Sequence, residues 1–562
     1  MESSSFFVLR RCGMRVIQAA MLVVMLLGVS RLQAQSFTDA TNVPGVSLSA
    51  SATSLLEDGR QLEKQQRWTD ALQHYEDAVR KFPSHEDLKL RHTLAQIHCE
   101  LDRRFTDRSF HELIQNANQD QTLDVYNEIG LKVYNHYYQT PDWQRLTWRG
   151  TANLDVAITK AEFRRRYIPN VTEAQIKAFR GELRRDVNKR AVRTHNDAVN
   201  LVNYSAQLAQ KRLRLNPVVA IMEYCCGAIS ALDQYSTYLT GAQLDDVYNQ
   251  IEGNFVGLGV ELKSDDNALL IVNVIRDGPA FHAGVHEGDR IVAVDGRKTS
   301  DISTDAAADM LKGEQGTSVG ITLLTRDGQQ RVAQVTRERV NVPCVENVEI
   351  LDHDRGIAYF RLTSFQKTTS RDVDTALWRL HREGMKTLIV DVRGNPGGLL
   401  TASVEVADKF LYDGTIVATR GRNKHEDYDY KAHAVATWGV PLIVLIDHET
   451  ASASEIFAGA IRDHGRGTVI GETSYGKGSV QGIFPLSSFR AGIRLTTARF
   501  FTPKGHPISG RGVIPNQVVS QKQVHTLARP IGDGTLLDNE EADPVLFAAL
   551  ESARQLNVAA SR

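Results

Sequence analysis

The segment from Pro441 to Glu455 constrains the fold more than any other part of the chain. Pro441–Ile446 is an unbroken apolar run and reads as a strand buried on both faces. It leads directly into Thr450-Ala451-Ser452-Ala453-Ser454-Glu455, where small residues surround a serine at the start of a helix. A strand that turns straight into a helix belongs in a layered α/β sheet. Ile357–Leu362, Thr387–Asp391, Thr468–Ile470 and Ile493–Phe501 read as further strands, with a helix at Arg371–Glu383. Residues 341–525 are therefore expected to form one α/β domain.

The same segment carries chemistry. A helix N-terminus offers free N–H groups and a partial positive charge, which suit a developing oxyanion. Ala453 can supply one donor. Arg393-Gly394-Asn395-Pro396-Gly397-Gly398, directly after strand Thr387–Asp391, is a glycine-rich loop able to bring a second. Lys477 follows Ser452 by 25 residues, flanked by Gly476 and Gly478. A serine hydroxyl needs a base, and a lysine serves when burial leaves its amine neutral. Each piece alone is more often a turn or a cap; their coincidence favours a serine–lysine pair.

Three other chemistries fit less well. Gly471–Gly478 nearly matches a phosphate-binding loop, but the eighth position is Gly478 where Ser or Thr is needed, and Val480–Pro485 looks extended. Ser474-x-x-Lys477 would need a helix that Gly476 and Gly478 oppose. His448, His464 and His506 sit in no triad-like motif.

The 562 residues exceed one domain, and 42% hydrophobic with 24% charged residues supplies several cores. Arg10, Arg11 and Arg15 precede an apolar run, Ala19–Val29, too short for the roughly 20 residues that span a bilayer. Residues 1–34 are expected to be a secretory signal, cleaved near Ala34 or retained as an anchor, with a linker at 35–50. Without residues 1–34 the formal charge goes from -1 to -4, close to neutral, which gives no argument for nucleic acid. The basic runs Lys160–Arg166 and Arg184-Arg185 alternate with acids and read as solvated helix faces. The body is therefore exported, periplasmic or extracellular. The cysteines, Cys12, Cys99, Cys225, Cys226 and Cys344, fit neither a disulfide framework nor a zinc site; Cys225-Cys226 reads as core packing, and one disulfide stays open in an oxidising compartment.

In segment 51–104, Gly59, Ala71, Tyr75, Ala78 and Pro83 fall at the spacing of one tetratricopeptide repeat, with Trp68 at the turn and a further helix at Leu88–Leu101. A plain helical hairpin fits equally. Residues 105–245 stay helical, ending with an apolar helix at Pro217–Leu232. Residues 246–340 alternate apolar runs with glycine turns and read as a compact β-rich domain, with a helix at Asp305–Leu311. The tail, 526–562, holds a helix near Pro544–Gln555 to which no role is assigned.

Asp391–Gly398, Thr450–Glu455 and Gly476-Lys477-Gly478-Ser479-Val480-Gln481 together resemble the C-terminal processing peptidases, or tail-specific proteases. The resemblance covers roughly residues 232–520. It implies a multidomain α+β fold: a helical N-terminal region, a β-rich PDZ domain and an α/β (ClpP/crotonase-like) peptidase core. It implies Ser452 as nucleophile, Lys477 as base, Gln481 supporting the lysine, and Gly398 with Ala453 as the oxyanion hole. Asp463 matches an acidic position of some members and is given a structural role. Gly257-Leu258-Gly259-Val260 matches the PDZ carboxylate-binding loop, with Phe255, Val260 and Leu311 read as pocket walls or, equally, as core packing. The basic coupling segment of the family is reduced here to Leu311-Lys312-Gly313-Glu314.

The expected protein is an exported endopeptidase that takes protein or peptide substrates with free C-termini and needs no metal or nucleotide. An adaptor on the tetratricopeptide-like segment and a homodimer remain open, as does a catalytically silent scaffold or tail-binding chaperone.

Overall fold

A computed structural model describes residues 51–265, 268–302, 304–520 and 543–560. The expected signal and linker lie outside the described residues.

The chain starts with a helical hairpin, Ala52–Lys64 and Trp68–Lys81, backed by Glu86–Thr106. Leu56, Ala71, Tyr75, Ala78, Leu88 and Ala95 form its small core. The glycine at 59 has a steric cause: a Cβ there would lie 2.3 Å from the Tyr75 ring. Trp68 stacks on His98 at 3.4 Å. The third helix outlasts the hairpin and carries Ile97, Leu101 and Phe105 into the main helical core.

That core is organised around Pro217–Ser230, a helix buried on almost every side. It crosses Trp143–Ala157 at backbone contact, since a Cβ on Gly227 would come within 2.7 Å of the Gly150 Cα. The buried Glu223 accepts a hydrogen bond from Arg104 at 2.6 Å. Cys225 and Cys226 are buried free thiols, as are Cys99 and Cys344. The basic runs are neutralised locally. Lys160 pairs with Asp102, Arg164 with Glu173, and Arg180 and Arg184 with Asp155.

The β-rich unit is attached by a ribbon of two antiparallel strands, Asn254–Gly257 and Glu338–Asn341. Its sheet runs Val260–Asp265, Ala268–Val274, Arg290–Val294, Ser318–Leu324, Gln330–Thr336, with the helix Thr304–Leu311 packed on it. Arg337 donates to the Leu311 and Met310 carbonyls and so caps that helix.

The α/β unit has a six-stranded sheet. Val345–Asp352 is antiparallel to Ile357–Leu362; Thr387–Asp391, Leu442–Ile446, Thr468–Gly471 and Gln517–Val518 follow in parallel. Three helices, Thr369–Arg382, Leu400–Asp408 and Ala453–Asp463, cover one face. The tail covers the other. Helix Pro544–Ala560 lays Val545, Ala549 and Ala553 on Ile357, Tyr359, Ile389, Ile443 and Leu445. So the helix without an expected role closes the second layer, because a parallel sheet must be covered on both faces.

A second sheet is built around Gly492–Phe501 and includes Thr415–Gly421, Tyr428–Lys431 and Ser479–Pro485. Strand Thr237–Leu239, arriving from the helical region, pairs with Gly492–Arg494. Helical region and α/β unit thus share a sheet, and Leu486, Ala491, Ile493 and Leu495 belong to the helical core.

Candidate active site

Ser452 closes the turn between strand Leu442–Ile446 and helix Ala453–Asp463 with φ 64°, ψ -112°. Few residues with a Cβ adopt that backbone, which stores about 1–3 kcal/mol. The turn is held from both sides. Asp447 accepts from Glu449 N, Thr450 N and Gly394 N, and Thr450 Oγ1 donates to the Val392 carbonyl. Ala453, the first helical residue, has no acceptor for its N–H within the helix.

The glycine-rich loop docks on that helix start through Asn395. The buried Asn395 side chain donates to Leu362 O and accepts from Gly397 N; its carbonyl accepts from Ala451 N and Ser454 Oγ. Gly397, at φ 104°, passes so close that a Cβ would lie 2.9 Å from Ala453 N. Gly398 lies beside Phe365, and the ladder there uses the N–H groups of Phe365 and Leu399. The Gly398 N–H takes no part in that ladder. Gly398, Leu400, Ile456, Ser479, Val480 and Phe500 line a tight recess at Ser452 and Ala453 that leaves no room for a water molecule.

Glu455 joins the helix to the lysine loop. It is fully buried, and its carboxylate accepts from Ser452 N at 2.6 Å, Lys477 N at 2.9 Å, Gly476 N at 2.7 Å and Ser474 Oγ at 2.5 Å. Burial pushes its pKa up, while those four donors favour the anion. The glycines flanking Lys477 are required by the neighbouring loop: a Cβ on Gly478 would meet Ser509 N at 2.3 Å. Lys477 is 3% exposed. Burial, helped by Arg494, lowers its pKa to about 8, against the opposing pull of Glu455 and Asp233. After Gly478 the chain enters strand Ser479–Pro485 rather than a helix, which removes the phosphate-loop geometry.

Residues 356–519 match peptidase family S41, and residues 248–325 match the PDZ domain. The carboxy-terminal-processing protease of Bartonella bacilliformis is 38% identical over 303 residues, covering 52% of this chain and 68% of the relative. The chain belongs to peptidase family S41.

Another relative, the carboxyl-terminal-processing protease of Synechocystis, is 35% identical over 47% of this chain and 62% of its own length. Among solved structures, the photosystem II D1 C-terminal processing protease aligns over 72% of this chain and 94% of its own, with 24% identity and a TM-score of 0.37. This S41 peptidase is a serine-type enzyme with an embedded PDZ domain.

The S41 core brings Ser452, Ala453, Gly398 and the Lys477 loop into one buried cluster. Gln481 is buried two residues into the following strand, where its Nε2 donates to Ser479 Oγ at 2.8 Å. Ser452 Oγ and Gln481 Oε1 are buried without a hydrogen-bond partner. Asp463 lies at the far end of the serine helix, paired with Arg462 and accepting from Lys504 N.

In the PDZ domain Gly257–Val260 leads into the strand Val260–Asp265, with Gly259 at φ 78°. Leu311 and Val260 pack on the domain core. Phe255, expected on the same pocket wall, instead lines a groove with Gln366 and Pro396–Leu399. The reason is topological: Phe255 belongs to the connecting ribbon, not to the PDZ sheet.

Sequence reasoning left three contributors without a role. Glu455 and Asn395 lie within the recognised motifs, and their spacing from Ser452 and Gly397 was the available signal. The loop Asp233-Gln234-Tyr235-Ser236 comes from the helical region, and nothing local connects it to Lys477.

Proposed function

We propose that this chain is an exported serine endopeptidase that captures substrate C-termini on its PDZ domain and cleaves with a Ser452–Lys477 dyad. The observation that carries the reading is that one buried carboxylate, Glu455, holds the backbone N–H groups of both Ser452, whose strained hydroxyl is unpartnered, and the buried, low-pKa Lys477. Neutral Lys477 takes the hydroxyl proton as Ser452 Oγ attacks the peptide carbonyl. Ala453 and Gly398 N–H groups receive the oxyanion, each worth about 3–4 kcal/mol of barrier. Lys477 returns its proton to the leaving amine, then activates the water that hydrolyses the acyl-enzyme. Gln481 Oε1, a buried acceptor with no other partner, would receive a hydrogen of the lysine amine when the amine turns to Ser452.

The small apolar enclosure lined by Leu400, Ile456, Val480 and Phe500 adjoins Ser452. The loop Gly257–Val260 offers backbone N–H groups to a terminal carboxylate while the tail adds to strand Val260–Asp265 as an extra strand. Export, an adaptor on the N-terminal hairpin and a homodimer rest on the sequence alone.

The test is cleavage of an unfolded reporter, with and without an apolar free C-terminus, by the chain from Gln35 onward and by Ser452→Ala and Lys477→Ala. Tail-dependent cleavage lost in both variants supports the dyad. Binding without cleavage in all three overturns it in favour of a tail-binding scaffold.

A further inference from the structure

Lys477 stands beside an aromatic ring. Its Nζ lies 4.8 Å from the ring centroid of Tyr235, within the distance at which a cation is held by a π face. The Ser452 hydroxyl, which would donate to the neutral amine in catalysis, and Gln481 Oε1, which would accept from it, are buried and have no partner. Two positions for one amine follow: one over the ring, and one bonded to the serine and the glutamine.

The loop that carries the ring is fastened in place. Tyr235 lies between helix Pro217–Ser230 and strand Thr237–Leu239, in a loop wound around Asp233. Asp233 accepts from Tyr235 N at 2.8 Å, Ser236 N at 3.0 Å, Ser236 Oγ at 2.9 Å and Thr496 Oγ1 at 3.0 Å. Ser236 Oγ accepts in turn from Thr496 N. The loop is thereby fastened to the strand that carries Arg494, and the Tyr235 ring approaches Lys477 from the side of the helical region.

We propose that Tyr235 is a positioning residue that parks the Lys477 ammonium out of reach of Ser452, so that the dyad forms only when the amine leaves the ring. The proposal rests on the dyad reading above. The charged amine is favoured over the ring; the neutral amine has no such preference and is the form that serves as base. The charged groups facing Lys477 are Arg494 from the adjacent strand, Glu455 from the serine helix and Asp233 from the loop itself. Arg494 opposes the ammonium and the two carboxylates favour it, so the ring adds to the carboxylates' side of the balance. Loss of the π face therefore moves the acid limb of the rate profile downward, and a stronger π face moves it upward.

The experiment compares kcat/KM against pH for the full chain and its Tyr235→Trp, Tyr235→Phe and Tyr235→Leu variants, on a peptide with a free apolar C-terminus. The expected order of the acid limb is Trp above Tyr and Phe, with Leu lowest by about one pH unit. Below the limb, Tyr235→Leu is then about tenfold more active than the parent. Replacing Tyr235 by a ring-fluorinated phenylalanine weakens the π face at nearly constant shape, and should move the limb down even if Tyr235→Leu fails to fold. Limbs that superimpose across the aromatic series, or a limb that rises on fluorination, overturn the parking role. A fully active Lys477→Ala would instead overturn the dyad itself, so the two failures are distinct.

Discussion

At the residue scale, Lys477 and Glu455 decide the behaviour of the site. A lysine with its pKa at about 8 is mostly charged at neutral pH, and in the proposed dyad only the neutral amine accepts the serine proton. Peptidase activity is expected to climb about tenfold per pH unit below 8 and to level above it. A pH–rate profile that peaks in acid would exclude a lysine base. The same shift acts on folding. Between about pH 8 and 10.5 the unfolded chain binds the proton that the folded chain has lost, so this group makes stability rise with pH there. Glu455 ties the serine amide to the lysine loop with one carboxylate. Glu455→Gln turns one acceptor oxygen into a donor that faces N–H groups. It should cost about 1–3 kcal/mol in a urea melt, and reduce kcat on the order of 100-fold with KM little changed. An unchanged kcat would show that the two loops hold their geometry without it.

At the scale of elements, the sheet and its two coverings explain why the tail matters. Arg393, at the start of the glycine-rich loop, is shared between Asp391 and Asp543, with contacts of 2.6 and 2.8 Å. Asp543 also accepts from Val545 N and Leu546 N, capping helix Pro544–Ala560. Asp543→Ala removes a helix cap and one partner of a buried guanidinium. A loss of about 1–2 kcal/mol is expected, read as a lower melting temperature. Strands Ile357–Leu362 and Thr387–Asp391 coincide with their sequence expectation because continuous apolar runs leave little choice of boundary. Helix Arg371–Glu383 instead spans Thr369–Arg382. Helix Leu400–Asp408 and strands Thr415–Gly421 and Tyr428–Lys431 escaped the sequence reading. The helix directly follows a glycine-rich loop, and Tyr428–Lys431 is polar and mostly exposed at a sheet edge, so neither shows a strong period.

At the scale of the whole molecule, two bodies differ in how they are joined. The helical region and the peptidase unit share the sheet formed at Thr237–Leu239 and a common core at Ile493 and Leu495. The PDZ domain has a core of its own, around Ile271, Ile291 and Leu323, and is tethered by a ribbon of two short strands. Calorimetry is expected to give two transitions. Ile271→Ala, which empties part of the PDZ core at about 2–5 kcal/mol, should lower one of them and leave the other in place. A single cooperative transition displaced as a whole would show that the ribbon couples the two bodies.

The sequence by itself determined the turn at Ser452, the glycine-rich loop and the glycine-flanked lysine, because each is a local requirement. A strand entering a helix needs small residues at the turn, and a loop pressed on backbone needs glycine. Glycine turns in the sequence also marked a compact β-rich domain, and the Gly257–Val260 motif carried the resemblance to the PDZ module. Only the tertiary structure decided what surrounds those pieces. Tyr235 reaches Lys477 from 242 positions earlier in the chain, Asp543 reaches Arg393 from 150 positions later, and the tail helix covers a sheet whose strands all precede it. Such contacts are set by the packing of apolar faces, which carries no local signature of which element will arrive.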